Sequence, residues 1–596
     1  MLLILSLTLP LLVAVVMAAT ITRRTGPRGR TRSILRLAAP AAALPGVALA
    51  LAGDQRAHEI PWLLLGATFT MDDLARPLVL VTSLLYGAAL AVVSWTPGRR
   101  SRPGGSLPTP ALIVFLLLCL SGNLGTYLAA DTVTFYLMFA LMSFSAAGLV
   151  IHHRSAQAAR ATRIYLILSV ISETSLLAAL LLTSAAGGKM LTDAPGAVAS
   201  SGQGPLIVAL LFVGFGIKTG TVPLHVWLPL AHPAAPPAAS AVLSGAMVKA
   251  GLIGWLRFLP EGEHLATGLT LLALSLVGAF GAVVAGVLQN DPKVILAYST
   301  ISQMGFITAV VSVGLLDPDL APAAATAAVL YAVHHGFAKG ALFLGIPVLQ
   351  AFGRGVPGMV VAAGMVVAGL SLAGAPWTSG ALAKYLGKEA VEDAAVPALA
   401  EAGLDVGTLL PLVATGSVVL LLRCGWVLAT GEREDGVRPD AQLLAWAALV
   451  AAGVLIPWGV ATYWSAVTMP TWDLPTLWDT IWPLTLGLAL GLAVWWLRGR
   501  RGQSGRVPRL PPGDLVVPVE AGVGRTAVVL ETTLDLAHRS TAWTAGVWVQ
   551  LWSSVARSFR RLTAAFEKQL DGWERSGVAL LLILTAALAA LTLVGG

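Results

Sequence analysis

Apolar residues run along this chain in blocks of about twenty, the length a helix needs to cross the ~30 Å hydrocarbon core of a bilayer. Sixteen such blocks lie near 1–20, 34–52, 75–95, 110–130, 132–151, 163–185, 205–230, 237–259, 265–288, 293–315, 322–350, 357–385, 406–429, 441–465, 477–497 and 577–595. The pattern predicts an all-α polytopic membrane protein of about sixteen transmembrane helices. The first block has no basic n-region and no small-residue cleavage site, so it reads as a retained helix rather than a signal peptide.

One stretch departs from this rhythm. Residues 498–513 are rich in Arg, Gly and Pro and form a cytoplasmic linker, and the run after them is too polar to span. Within it Trp548, Trp552, Val555, Phe559, Leu562, Phe566 and Leu570 recur at three- and four-residue spacing, with Arg557, Arg560, Arg561, Glu567 and Lys568 opposite. Such a helix lies along a membrane surface or along a partner's flank.

Composition narrows the class. The chain is 56% hydrophobic and only 11% charged, against about 25% charged in a soluble domain. A soluble multidomain enzyme, a nucleic-acid-binding protein and a disordered scaffold are excluded. Cys119 and Cys424 both sit in apolar runs and provide neither a disulfide framework nor a Cys-based metal site.

The net charge of +8 is distributed by loop. Arg23, Arg24, Arg28, Arg30, Arg32 and Arg36 lie between the first two blocks; Arg99, Arg100 and Arg102 follow the third; Arg154, Arg160 and Arg163 follow the fifth. Alternate loops are acidic, with Asp54, Glu59, Asp72 and Asp73, then Glu389, Glu392, Asp393, Glu401 and Asp405. Basic loops stay in the cytoplasm, so both termini are expected outside the cell membrane.

Ionisable residues inside the blocks carry the candidate chemistry, because a charge at mid-bilayer costs at least about 2.5 kcal/mol on insertion scales. Lys218 lies in the seventh block, with His225 and His232 after it and Lys249 in the eighth; His334, His335 and Lys339 share the eleventh; Lys384 and Lys388 end the twelfth; Glu173 interrupts the sixth. Lysine in a low-dielectric interior and histidine at its ordinary pKa can both exchange protons near neutrality. A row of them suits a proton relay, whereas a single buried Lys or His reads equally well as a helix-packing group. Pro223, Pro229, Pro233, Pro236 and Pro237 predict that the seventh span is broken beside Lys218. A second interruption is expected near His335, where Gly336 and Gly340 follow an apolar run. Paired broken helices mark an inverted-repeat transporter.

The segments KTGTVPLHVWLPLAHPAAPPAASAVLSGAMVKAG and NDPKVILAYSTISQMGF resemble the central signature of the antiporter-like membrane subunits of complex I, of Mrp cation/proton antiporters and of energy-converting membrane hydrogenases. The resemblance covers roughly residues 110–430. It implies two inverted five-helix half-channels, at 110–260 and 261–430, between N-terminal helices 1–109 and peripheral helices 431–500. The linker and lateral helix (501–576) and a terminal anchor (577–596) complete the division, and resemble the distal complex I subunit. The resemblance further implies that Lys218 is the central lysine of the first half-channel, with His225 beside the broken helix and Lys249 as the bridging lysine. His334, His335 and Lys339 would connect the second half, and Lys384 would end the path toward the outside. One position departs: where the family carries a glutamate in the fifth span, this chain has Ala140, and Glu173 one span later is the candidate replacement counter-charge.

The leading functional reading is a proton-translocating subunit, with exchange for Na⁺ left open, working beside other membrane subunits. No cofactor or metal is expected, since the chain has no Cys cluster, no haem motif and no dinucleotide fingerprint on a strand–turn–helix unit. The glycines Gly214, Gly216 and Gly220 lie in a membrane helix and read as packing residues. Alternatives are the membrane subunit of an inorganic-carbon uptake system, a stand-alone solute transporter, and a structural subunit that has lost conduction.

Overall fold

The computed structural model describes residues 1–21, 27–63, 66–95, 110–260, 265–352, 355–394, 396–401, 404–431 and 441–500, together with 511 and 513. Fifteen helices among them, from Leu2–Thr20 to Leu474–Val494, are long and apolar enough to cross a membrane. Each coincides with one of the first fifteen predicted blocks. The sixteenth block (577–595), the amphipathic face from Trp548 to Leu570, nearly all of the linker beyond residue 500, and Arg23, Arg24, Arg99, Arg100 and Arg102 lie outside the described residues.

The fourth (Pro110–Leu128), eighth (Pro237–Phe258), tenth (Pro292–Leu316) and eleventh (Ala321–Phe352) spans form the interior, enclosed on almost every side. The fourteenth (Ala441–Trp464) and fifteenth (Leu474–Val494) lie at the periphery and leave most of their apolar surface open.

Successive loops fall on opposite faces of the bundle. On one face a short antiparallel ribbon pairs His58–Ile60 with Ala67–Phe69. There Thr68 N donates to the Asp131 carboxylate at 2.8 Å, Leu191 N donates to the Ala130 carbonyl at 2.9 Å, and Arg257 pairs with Asp72 at 2.7 Å. On the other face Lys293 Nζ donates to the Ala235 carbonyl at 2.8 Å and Arg423 Nε to the Gln289 carbonyl at 3.0 Å.

Two spans are discontinuous, and both break with the same stereochemistry. The seventh (Gly204–Ala234) stops at Thr219; Gly220 takes φ +79°, Thr221 N reaches back to the Gly216 carbonyl at 2.9 Å, and Pro223 follows. The twelfth helix (Gly355–Ala373) ends the same way: Gly374 takes φ +92°, Ala375 N reaches the Leu370 carbonyl at 2.9 Å, and Pro376 follows. A left-handed glycine satisfies the last carbonyls, and the proline forbids resumption of the same helix. Chain direction resumes at Trp227–Ala234 in the first case and at Ser379–Glu389, capped by Thr378, in the second.

This corrects the expectation of an interruption near His335. Ala321–Phe352 is one continuous helix of 32 residues. Its glycines are there for proximity: a Cβ on Gly336 would meet the Gly245 carbonyl at 2.8 Å, and one on Gly245 would meet the Gly336 carbonyl at 2.9 Å. Glycine without a following proline leaves the hydrogen-bond ladder intact inside a membrane.

Candidate functional site

Lys218 occupies the last turn before the first break and is buried, 2% exposed. Its Nζ lies 3.4 Å from the Tyr165 hydroxyl, 5.4 Å from the Phe139 ring centroid and 5.6 Å from that of Tyr165. Tyr165 spends its own proton on the Ser143 carbonyl at 2.8 Å, so its oxygen is left to accept from the lysine. Phe139 precedes Ala140 in the fifth span (Thr132–His153), and its aromatic face lies near the lysine amine. Such a face favours an ammonium.

Glu173 is buried in the sixth span (Ala156–Ala185), on the side that meets the seventh, where the adjacent Ser172 hydroxyl donates to the Gly214 carbonyl at 2.8 Å. Its carboxylate interacts electrostatically with Lys218. Neither carboxylate oxygen has a hydrogen-bond partner among the described residues.

The middle of the site is built on a distortion that hydropathy does not reveal. Residues Leu243–Met247 form a π-helical turn at the centre of the eighth span, which turns the Ser244 carbonyl toward the amine of Lys249 at 2.8 Å. The same amine meets His335 Nδ1 at 2.6 Å. The reciprocal Gly245–Gly336 contact brings the two helices this close. From Ser244 a second line runs onward: its hydroxyl meets Thr300 Oγ1 at 2.7 Å, Thr300 donates to the Leu296 carbonyl at 3.0 Å, and Lys339 Nζ donates to that carbonyl at 2.9 Å. Three spans thus join Lys249, His335 and Lys339 in one buried cluster.

In the second half His334 Nδ1 lies 3.0 Å from Ser379 Oγ, at the start of the resumed twelfth helix. Tyr331, one turn before it, donates to the Gln303 side chain, which in turn donates to Ser417 Oγ at 2.7 Å. Lys384 closes the row: its amine donates to the Ala373 carbonyl at 2.6 Å and the Leu372 carbonyl at 3.3 Å, the loose carbonyl end of the broken helix. Beyond it Lys388 pairs with Asp479 at 2.5 Å. Burial alone would lower the Lys388 amine, but Asp479, Glu392 and Glu389 around it hold it above its ordinary value.

All eight predicted residues are buried or half-buried within these spans. His225 sits in the short turn Leu224–Val226, its ring 6.5 Å from that of Tyr298. His232 stacks on Phe343 at 4.5 Å, and neither ring nitrogen has a hydrogen-bond partner among the described residues. Sequence reasoning passed over Tyr165, Ser244, Thr300, Gln303, Tyr331 and Ser379. They are neutral and unremarkable in composition, and only the mid-span position of so many polar side chains could have flagged them.

Residues 129–404 match the family described as NADH:quinone oxidoreductase/Mrp antiporter, transmembrane. The chain is similar to hydrogenase-4 component B of Escherichia coli, 31% identical over 47% of this chain and 42% of that protein. It is similar to Na⁺/H⁺ antiporter subunit A1 of Staphylococcus haemolyticus, 32% identical over 45% of this chain and 34% of that one. An NAD(P)H-quinone oxidoreductase chain 4 of Thermosynechococcus vestitus is 30% identical over 48% of this chain and 53% of its own. The matched stretches thus span about half or less of these curated relatives. Among solved structures, the Mrp complex from Dietzia sp. superposes with TM-score 0.73 at 22% identity, over 94% of this chain and 63% of that one. A membrane-bound sulfane sulfur reductase, an archaeal respiratory membrane complex, superposes with TM-score 0.65 at 21% identity, over 94% of this chain and 100% of that one. These last two likenesses concern the fold.

Proposed function

We propose, from the match of residues 129–404 to the family described as NADH:quinone oxidoreductase/Mrp antiporter, transmembrane, that this chain translocates protons through the cell membrane as one subunit of a larger membrane complex. The observation that carries the reading is the buried cluster in which Lys249 bonds His335 directly and reaches Lys339 through Ser244, Thr300 and the Leu296 carbonyl. It lies between Lys218 at one broken helix and Lys384 at the other. Titratable groups so enclosed have no bulk water to exchange with, and their protons pass between neighbours.

In this scheme residues 110–260 and 261–430 act as two half-channels joined at the Lys249–His335 contact. A proton leaving Lys218 is favoured when charge arrives on Lys249, and Glu173 holds Lys218 protonated at rest. Lys384 hands the proton to the face that carries Lys388, Asp479 and the acidic loops, which is the outer face by the distribution of arginines. Other membrane subunits supply whatever redox or ion gradient drives the cycle, and Na⁺ exchange would belong to the same path.

Lys218→Ala removes the central titratable group of the proposed relay. Proton movement in inverted vesicles, scaled to the amount of assembled complex, should fall by roughly tenfold or more, the effect of losing about 1.4 kcal/mol at the rate-limiting step. Near-normal movement with normal assembly would overturn the relay.

A further inference from the structure

A proline at the periphery bears on a histidine of the relay. Pro457 lies inside the fourteenth-span helix, Ala441–Trp464, and has no N–H to give to the carbonyl four residues earlier, that of Gly453. In a membrane helix such a freed carbonyl finds another donor, commonly a hydroxyl from a neighbouring segment. Here the donor is Ser379, whose Oγ reaches the Gly453 carbonyl at 2.9 Å.

Ser379 has a single hydroxyl proton, and a carbonyl can only accept, so that proton is committed. Two other polar atoms meet the same hydroxyl: Ser371 Oγ at 3.0 Å and His334 Nδ1 at 3.0 Å. Both must then donate to it. The imidazole of His334 carries its hydrogen on Nδ1, and in the neutral ring Nε2 is the bare nitrogen. Nε2 is buried and has no hydrogen-bond partner among the described residues. Lys384, Lys249 and His335 are the titratable groups that act on this ring.

We propose that Pro457, through the Gly453 carbonyl and Ser379, is a positioning residue that fixes His334 as the Nδ1–H tautomer, so that this histidine takes up and releases its proton at Nε2 alone. Gain of a proton at Nε2 leaves the Nδ1–Ser379 bond in place, so the ring need not turn during the cycle. The fourteenth span, outside both half-channels, thereby sets which atom of the eleventh exchanges protons. The functional consequence rests on the proposed relay; the tautomer assignment does not.

The test is nitrogen NMR of the full chain labelled with ¹⁵N-histidine in lipid nanodiscs, with His334 assigned by its absence in His334→Gln. The unsubstituted chain should show a protonated Nδ1 and a bare Nε2. Ser379→Ala removes the acceptor, and Pro457→Ala returns a backbone N–H to Gly453 and frees the Ser379 proton to turn toward the ring. Both should replace the single tautomer with a mixture or with Nε2–H, while Ser379→Thr should keep it. A bare Nδ1 in the unsubstituted chain, or an unchanged tautomer in Ser379→Ala, would overturn the assignment. Loss of the tautomer in Ser379→Ala but not in Pro457→Ala would overturn the part given to the proline. Since this signal is read without transport, normal proton movement in Lys218→Ala would sink the relay and leave the tautomer result standing.

Discussion

Glu173 is a buried carboxylate in the sixth span. It sits one helix away from Ala140, on the face of the sixth span that meets the seventh, and acts electrostatically on Lys218. The aromatic faces of Phe139 and Tyr165 add to the attraction on the same ammonium. Glu173→Gln should then lower proton movement by roughly tenfold or more, nearly as far as Lys218→Ala, on the same scale of about 1.4 kcal/mol per decade. Adding Ala140→Glu to that variant should restore part of the loss. Vesicle assays of the single and double variants decide it: unchanged movement in Glu173→Gln would show that the carboxylate serves packing alone. At this scale the sequence displayed the charges and their spans. It did not display the neutral partners, because a serine or threonine in a membrane helix looks the same whether it packs, caps its own carbonyl or bridges two lysines.

Between helices the site depends on backbones meeting without side chains between them. The Lys249–His335 bond exists because Gly245 and Gly336 each leave room for the other's carbonyl. Gly336→Val should cost about 1–3 kcal/mol of stability from overpacking and should lower proton movement by separating the pair. Gly281 lies in an unbroken span, and a Cβ there meets nothing within 4 Å. Gly281→Ala should therefore be neutral or stabilising, by at most about 1 kcal/mol of helix propensity. Thermal melts of the purified variants check the contrast; equal losses in both would mean the close approach is not what Gly336 provides. The two breaks teach a related point. The proline-dense stretch from Pro223 to Pro237 announced the first, whereas the second needs only Gly374 followed by Pro376. Glycine alone, as at Gly336 and Gly340, breaks nothing.

Across the whole molecule the alternation of loops gives the clearest test of orientation. Asp193 and Thr430 are both exposed, on opposite faces, and the native Cys119 and Cys424 are buried and will not compete for a thiol reagent. A membrane-impermeant maleimide on intact cells should label Asp193→Cys directly, and Thr430→Cys only after permeabilisation. The reverse pattern would invert the proposed topology and with it the direction assigned to Lys384. Fifteen spans, their order and the basic and acidic alternation of their loops were all legible beforehand, since each is a local property of twenty consecutive residues or of the charges beside them.

Hydropathy thus settled that the chain is a helical membrane protein, and the cost of burying charge singled out Lys218, Lys249, His334, His335, Lys339, Lys384 and Glu173 as residues needing an explanation. Tertiary structure decided which of them meet. The π-helical turn at Leu243–Met247 aims a carbonyl at Lys249, the crossing glycines set its distance to His335, and a proline in the fourteenth span governs a hydroxyl in the twelfth. Each depends on two or three segments far apart in sequence arriving at one place. No periodicity within a single segment encodes that, because hydrogen bonds between helices are set by helix placement, and placement is set by the packing of all of them together.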